Sequence, residues 1–150
     1  MKRLFTLFFI VVMSFSANAQ GSHTLDSTTL TSRVVADSLD IPWEILWGPD
    51  DHIWMTERYG RVSRINPETG TQDVILDLSS DVYQNSESGM MGMALHPDFE
   101  NEPHVFIAYT YLDGSRIRER LVRFNYTNGK LEAADTLVGD IIGNTTHIGC

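Results

Sequence analysis

Two titratable side chains, Glu87 and His147, each lie in a polar loop directly before a short apolar run. Glu87 belongs to the loop 84–89, and His147 follows the polar segment 143–146. A carboxylate can bind a hydroxyl group, a cation or a polar group of a cofactor, and a histidine can act as a general base near neutral pH. The alternatives are a solvated loop glutamate, which is the more common case for this residue type, and a turn histidine bonded to the backbone. The position of each residue in the fold must therefore decide its role.

The chain between residues 43 and 78 predicts four short strands joined by tight turns. Apolar or alternating runs at 43–47, 52–57, 61–66 and 72–78 predict the strands. Clusters of turn-forming residues separate these runs, most clearly at 48–51 and 67–70. No stretch of this region shows the period of a helix, so the sequence favours an all-β fold.

The same order of strands and turns occurs a second time. The matching runs lie at 90–95, 104–111, 120–126 and 131–139, and the Pro97-Asp98 turn follows the Pro49-Asp50 turn by 48 residues. A four-stranded unit that repeats about every 50 residues is typical of a β-propeller. A β-sandwich is the alternative, but sandwiches do not repeat a turn in register. We therefore predict two antiparallel propeller blades, and we expect further blades to follow because two cannot close a ring.

This repeat predicts where the candidate residues lie. The first strand of each propeller blade lines the central channel, and the loop that enters it opens on one face of the ring. Glu87 precedes this strand in the second blade and His147 precedes it in a third, so both are expected near the axis on one face. Trp43 starts the first inner strand and either packs in the blade or stacks on a ring-shaped ligand. Arg58 is expected on this face in a rim salt bridge.

The first residues predict export rather than structure. A charged start, an apolar run at 4–15 and the small-residue site Ala17-Asn18-Ala19 are typical of a signal peptide covering residues 1–19. The apolar run is too short to span a membrane, although an uncleaved anchor is the alternative. We expect a periplasmic or secreted protein with a flexible leader at 20–32, a short strand at 33–36 and an incomplete propeller domain over 33–150.

Composition excludes some partners. The formal net charge of −9 argues against binding to nucleic acid or to anionic membrane surfaces. Cys150 is the single cysteine, so no disulfide can form within this chain, and any partner of Cys150 is undefined. The sequence does not indicate an oligomeric state.

Several motifs resemble the soluble PQQ-dependent sugar dehydrogenases, the glucose/sorbosone dehydrogenase family, and most closely its aldose sugar dehydrogenase branch. They are the PW pair at 42–43, the TER-x-GR pattern at 56–61, the GMMGMALHPDF stretch at 89–99 and the final His147. The resemblance covers about residues 33–150. It implies a six-bladed propeller that holds pyrroloquinoline quinone (PQQ) at its axis together with Ca²⁺, whose ligands are expected outside this segment.

The resemblance also implies roles for individual residues. His147 matches the family's catalytic base, and Glu87 matches a Gln or Glu position in the site. Thr146 stands where the glucose dehydrogenase branch has an aspartate, so substrate contacts from this position differ here. The implied reaction is oxidation of the C1 hydroxyl of an aldose to the lactone, with electrons passed to an external acceptor. A Ca²⁺-dependent sugar-lactone hydrolase and a non-catalytic binding propeller are the two alternatives.

Overall fold

A computed structural model describes residues 21–146, and within them it contains ten β-strands and no helix. The predicted signal peptide and His147 lie outside the described residues. The chain divides into two compact units, one ending at Val34 and one beginning at Val35. No helix among residues 21–146 is long and apolar enough to cross a membrane.

The first unit contains a small hairpin. Strand β1 (Gly21–Leu25) pairs antiparallel with β2 (Thr28–Ser32), and Asp26 takes a positive φ of 51° in the turn. Residues 20–32 were expected to form a flexible leader, and residues 33–36 a short strand. In the structure, residues 21–32 form the β1–β2 hairpin, where several threonines favour extended backbone. Residues 33–36 form no strand.

The second unit begins with a four-stranded antiparallel sheet, which we call blade 1. It is formed by β3 (Pro42–Trp47), β4 (Ile53–Glu57), β5 (Arg61–Ile65) and β6 (Gln72–Asp77), paired in chain order. In the β5–β6 turn, the Asn66 side chain accepts hydrogen bonds from the backbone N–H groups of Glu68 and Thr69. This bonding is the reason that an asparagine starts the turn.

A second antiparallel sheet follows, which we call blade 2. Its strands are β7 (Met90–Leu95), β8 (His104–Asp113), β9 (Arg116–Thr127) and β10 (Lys130–Ile142), again paired in chain order. The prediction of two four-stranded antiparallel sheets is therefore confirmed. The β8–β9 hairpin is longer than expected, because pairing continues to Asp113 and Arg116 rather than ending near residues 111 and 120.

The hydrophobic core lies between the two blades. One cluster joins residues of both sheets, and its members are Trp54, Val62, Ile75, Val82, Met90, Met93, Val105, Ile107, Tyr109, Val122, Phe124 and Leu131. Each large apolar side chain buried in this way contributes about 1.5–3 kcal/mol. Trp54 is fully buried in this core, whereas Trp47 is 63% exposed in this chain.

A buried polar bridge adds to this core and aligns the two inner strands. The Thr56 hydroxyl donates to the Met91 carbonyl at 2.8 Å and accepts from the Glu44 N–H at 3.0 Å. Thr56 has no exposed surface, so loss of these bonds would leave buried polar groups unpaired. The bridge fixes how β3 and β7 lie against each other, and with them the loops that lead into both strands.

Candidate functional site

Glu87 lies in a short turn within the connection between the blades. The Ser88 hydroxyl is fully buried, donates to the Asn85 carbonyl at 2.7 Å and accepts from the Asn85 N–H at 2.8 Å. Ser86 takes a positive φ of 58°, which turns the chain back on itself. The loop is therefore anchored through the buried Ser88, while the Glu87 residue is exposed.

Blade 1 holds this loop through Arg58, at the end of β4. The Arg58 guanidinium donates to the Ser86 carbonyl, and the Met90 N–H donates to the Arg58 carbonyl at 2.6 Å. Gly89 has a φ of 151°, and a Cβ at this position would lie 2.2 Å from the Arg58 carbonyl oxygen. Only glycine fits there. Arg58 thus binds loop backbone, which differs from the rim salt bridge predicted for it.

Blade 2 holds the same connection through Thr110, on β8. The Thr110 hydroxyl donates to the Tyr83 carbonyl at 2.6 Å, and the Tyr83 N–H donates to the Thr110 carbonyl at 2.8 Å. The Thr110 N–H donates to the Gly89 carbonyl at 3.0 Å. The loop that carries Glu87 is therefore bonded to both blades, which restricts its position relative to each.

A further bond joins the two loops in which the candidate residues lie. The Glu87 N–H donates to the Thr145 carbonyl at 2.9 Å. The 143–146 segment is itself attached to β9, because the Gly143 N–H donates to the Ile117 carbonyl at 3.1 Å. The structure thus brings Glu87 next to the segment that ends in Thr146, which is partly buried. His147 itself lies outside the described residues, and its role stays a prediction.

Trp43 lies at the same end of blade 1. The Arg58 N–H donates to the Ile41 carbonyl at 3.1 Å, so Arg58 contacts both the start of β3 and the Glu87 loop. Trp43 is 41% exposed, which leaves part of its indole surface open to a ligand. We call residues 40–43, 58–60, 84–89 and 143–146 the loop face.

One buried carboxylate beside the loop face, Glu57, was not identified from the sequence. Glu57 is 3% exposed, and its Oε1 atom accepts from the Asp40 N–H at 2.8 Å. Its Oε2 atom has no hydrogen-bond partner within the described chain. Glu57 is part of the TER-x-GR motif, which was the one sequence feature that could have drawn attention to this residue. Because Glu57 accepts a hydrogen bond from the Asp40 backbone, two residues before β3, we interpret Glu57 as a residue that stabilises the start of this strand.

Three other histidines, His52, His96 and His104, lie at the opposite end of the blades. His96 accepts from the Asp98 N–H at 3.3 Å, and His52 contacts the Asp50 carbonyl at 2.7 Å. His104 and His96 lie 4.0 and 3.9 Å from one carboxylate oxygen of Glu102. Within residues 21–146, no group of three His, Cys, Asp or Glu side chains is arranged to hold a metal ion.

Comparison with known proteins gives a consistent assignment. The sequence model of the glucose/sorbosone dehydrogenase family matches residues 39–150. The quinoprotein glucose dehydrogenase B of Acinetobacter calcoaceticus is 37% identical over 87 residues, which are 57% of this chain and 18% of that protein.

The chain also resembles solved structures, among them two aldose sugar dehydrogenases. The PQQ-bound aldose sugar dehydrogenase of Streptomyces coelicolor is 25% identical with a TM-score of 0.66, over 78% of this chain and 35% of that one. The apo aldose sugar dehydrogenase of Escherichia coli is 23% identical with a TM-score of 0.62, over 71% of this chain and 31% of that one. The chain thus spans about a third or less of these relatives. The fold prediction is confirmed, and the two sheets are β-propeller blades.

Proposed function

Since this chain belongs to the glucose/sorbosone dehydrogenase family, we propose that it forms part of an oxidoreductase that converts the C1 hydroxyl of aldose sugars to the lactone. The proposed hydride acceptor is PQQ. Support comes from a relative named as a quinoprotein glucose dehydrogenase and from a similar structure of an aldose sugar dehydrogenase with PQQ bound.

The observation that carries this proposal is the bond from the Glu87 N–H to the Thr145 carbonyl at 2.9 Å. It brings a carboxylate-bearing loop against the segment that leads directly into His147. A sugar oxidation site needs a base for the hydroxyl proton and polar groups that orient the ring. Residues 84–89 and 143–146 lie together on the loop face; we assign the first task to His147 and the second to Glu87 and Thr146.

Each residue then has a defined task. His147, with a neutral imidazole, takes the proton of the C1 hydroxyl as the C1 hydride leaves. Glu87 accepts hydrogen bonds from other sugar hydroxyls, and the Thr146 hydroxyl provides a neutral contact beside the base. Arg58 holds the Glu87 loop through the Ser86 carbonyl and does not contact the sugar.

The chain offers part of a binding site for the quinone. The exposed indole of Trp43 provides a flat surface against which a planar ring can stack. When bound, PQQ supplies the hydride acceptor, and the protein orients it. Cations that pair with its carboxylates, and the oxygen ligands of Ca²⁺, are proposed to lie outside residues 21–146. Export to the periplasm or medium, with electrons passed to an external acceptor, completes the proposal.

The test uses the full-length protein purified without cofactor and then loaded with PQQ and Ca²⁺. Glucose-dependent reduction of an artificial dye should appear only after PQQ is added, and a gluconolactone product should accumulate. Hydrolysis of a sugar lactone without PQQ would instead support a lactonase. Binding of sugar with neither reaction would support a non-catalytic propeller.

A further inference from the structure

The chain enters the first strand of each blade in the same way. In blade 1, the carbonyl of Ile41, directly before β3, accepts from the Arg58 N–H at 3.1 Å. In blade 2, the carbonyl of Gly89, directly before β7, accepts from the Thr110 N–H at 3.0 Å. Both acceptor residues have a positive φ, which is 54° at Ile41 and 151° at Gly89. They therefore hold equivalent positions in the two blades.

Blade 1 has an unfavourable residue at this position. Glycine adopts a positive φ without steric cost, whereas a β-branched side chain such as that of Ile41 is strained there. Pro42 restricts Ile41 further, because a residue before proline is normally extended. The Ile41 residue is also 43% exposed, so burial of its own side chain contributes little to this conformation. Contacts from the rest of blade 1 must therefore hold it.

Glu57, on β4, makes such a contact. It is 3% exposed, and its Oε1 atom accepts at 2.8 Å from the N–H of Asp40, the residue directly before Ile41. Together with the bond from the Arg58 N–H, this bond fixes the backbone on both sides of Ile41. Blade 2 has Tyr109 at the position equivalent to Glu57, where the entry glycine needs no such support.

The fixed backbone continues into a β-bulge that contains Trp43. At the start of their pairing, β3 has one residue more than β4, so Trp43 and Glu44 both lie opposite Thr56. The fully buried Thr56 hydroxyl accepts from the Glu44 N–H at 3.0 Å. A bulge of this kind changes the direction in which a side chain points. Trp43 thus lies between two fixed points, the bond from Asp40 to Glu57 and the bond from Glu44 to Thr56.

We propose that Glu57 is a positioning residue, which sets the orientation of Trp43 at the loop face by holding Ile41 in its strained conformation. An indole that is oriented before binding raises the affinity for a planar ring that stacks on it. The proposal rests on the proposed function in taking PQQ as this ring. One oxygen of Glu57 is sufficient for this role, because its Oε2 atom has no hydrogen-bond partner within residues 21–146.

Fluorine NMR of the full-length protein, labelled with fluorotryptophan and free of PQQ, tests the positioning directly. Loss of a signal in Trp43→Phe identifies Trp43, and Trp47, at the other end of β3, is the internal reference. Glu57→Ala should shift or broaden the Trp43 signal and leave that of Trp47 in place. Glu57→Gln should change neither signal, because its amide oxygen still accepts from the Asp40 N–H. Glu68→Ala, which removes an exposed carboxylate of blade 1, is the matched control and should also change neither.

Ile41→Gly tests whether backbone strain is the link. Since glycine needs no support at this φ, Glu57→Ala should lower the urea midpoint less in the Ile41→Gly background than in the parent protein. If Glu57→Ala alone does not fold, recovery of folding in the double variant supports the same link. Equal losses in both backgrounds, or a double variant that also fails to fold, would overturn it.

Titration of PQQ into the cofactor-free protein extends the test to the ligand. Glu57→Ala should weaken PQQ affinity by about 10-fold, as expected if the competent orientation of Trp43 falls to roughly a tenth of the population. With PQQ and glucose saturating, kcat should stay within about 2-fold. Glu57→Gln should retain most of the affinity.

Three results would each overturn the proposal. They are an unchanged Trp43 signal in Glu57→Ala, equal effects of Glu57→Ala and Glu57→Gln, and PQQ affinity unchanged by Glu57→Ala. If the parent protein binds no PQQ, the proposed function fails instead, and the fluorine signals still decide whether Glu57 orients Trp43.

Discussion

The two ends of the blades are held together in different ways. One is the loop face, and the other, which we call the turn end, carries the turns at 48–51 and 67–70 in blade 1. At the turn end of blade 1, Asp50 accepts from the Trp54 indole N–H at 3.0 Å and from Arg64 at 2.5 Å, all within one sheet. At the loop face, the bonds join distant segments, as when Arg58 reaches Ser86, 28 residues away, or Thr110 reaches Tyr83, 27 residues away. The turn end therefore stabilises a single blade, whereas the loop face fixes the candidate residues relative to one another.

The strongest disruption of the loop face is expected from Gly89→Ala. The added Cβ would lie 2.2 Å from the Arg58 carbonyl oxygen, so the loop or β4 must shift. We expect a loss of about 2–4 kcal/mol in the free energy of unfolding, measured by urea denaturation. Gly114→Ala is the control, because Gly114 also has a positive φ but no atom within 4 Å of the added Cβ. Equal losses in both variants would contradict a role for the contact with Arg58.

The next effect is expected from Arg58→Ala, which removes the side-chain bond to Ser86 but leaves the backbone bonds. A looser Glu87 loop should lower kcat/KM for glucose by about 10-fold, mainly through KM. Arg58→Lys should recover part of this loss.

Arg61→Ala provides the control for Arg58. Arg61 is in the same hairpin, stacks on Tyr59 at 4.6 Å and pairs with Asp77 at 3.3 Å. Because both partners of this ion pair are well exposed, its loss should change neither KM nor stability much. If Arg58→Ala behaves like Arg61→Ala in steady-state kinetics, Arg58 does not position the loop.

The strands were predictable because their apolar alternation and Pro-Asp turns are local properties of the sequence. The long β8–β9 hairpin was underestimated, although Gly114-Ser115 is a recognised two-residue hairpin turn and alternation continues through Arg116 and Arg118. For the Glu87 and Thr145 loops, the sequence predicted that both lie on one face of the propeller, but it did not predict their contact. Its hydrogen bond is made by backbone atoms of segments far apart in the chain, which no side-chain pattern encodes.

The smallest effect is expected at the turn end, from Asp50→Asn. Although burial alone would raise the pKa of Asp50, hydrogen bonds from Trp54 and Arg64 hold it below its usual 3.8. The ionised carboxylate therefore contributes stability above the unfolded pKa, and this contribution is lost as pH falls through the lower folded pKa. Asp50→Asn should cost about 1–2 kcal/mol near pH 7 and less below pH 3.8, with kcat unchanged. Urea denaturation across this pH range checks the change in stability, and kcat is measured in parallel. A loss of kcat would contradict the conclusion that the turn end does not contribute to the reaction site.

The most direct test of the account is steady-state glucose oxidation by His147→Ala in the full-length protein, with PQQ occupancy measured separately. The account predicts a fall in kcat of about 100-fold or more, with PQQ binding little changed, because the imidazole acts on the substrate hydroxyl. Glu87→Ala should differ by also raising KM. A near-normal kcat in His147→Ala at full PQQ occupancy would contradict the assignment of the loop face as the reaction site.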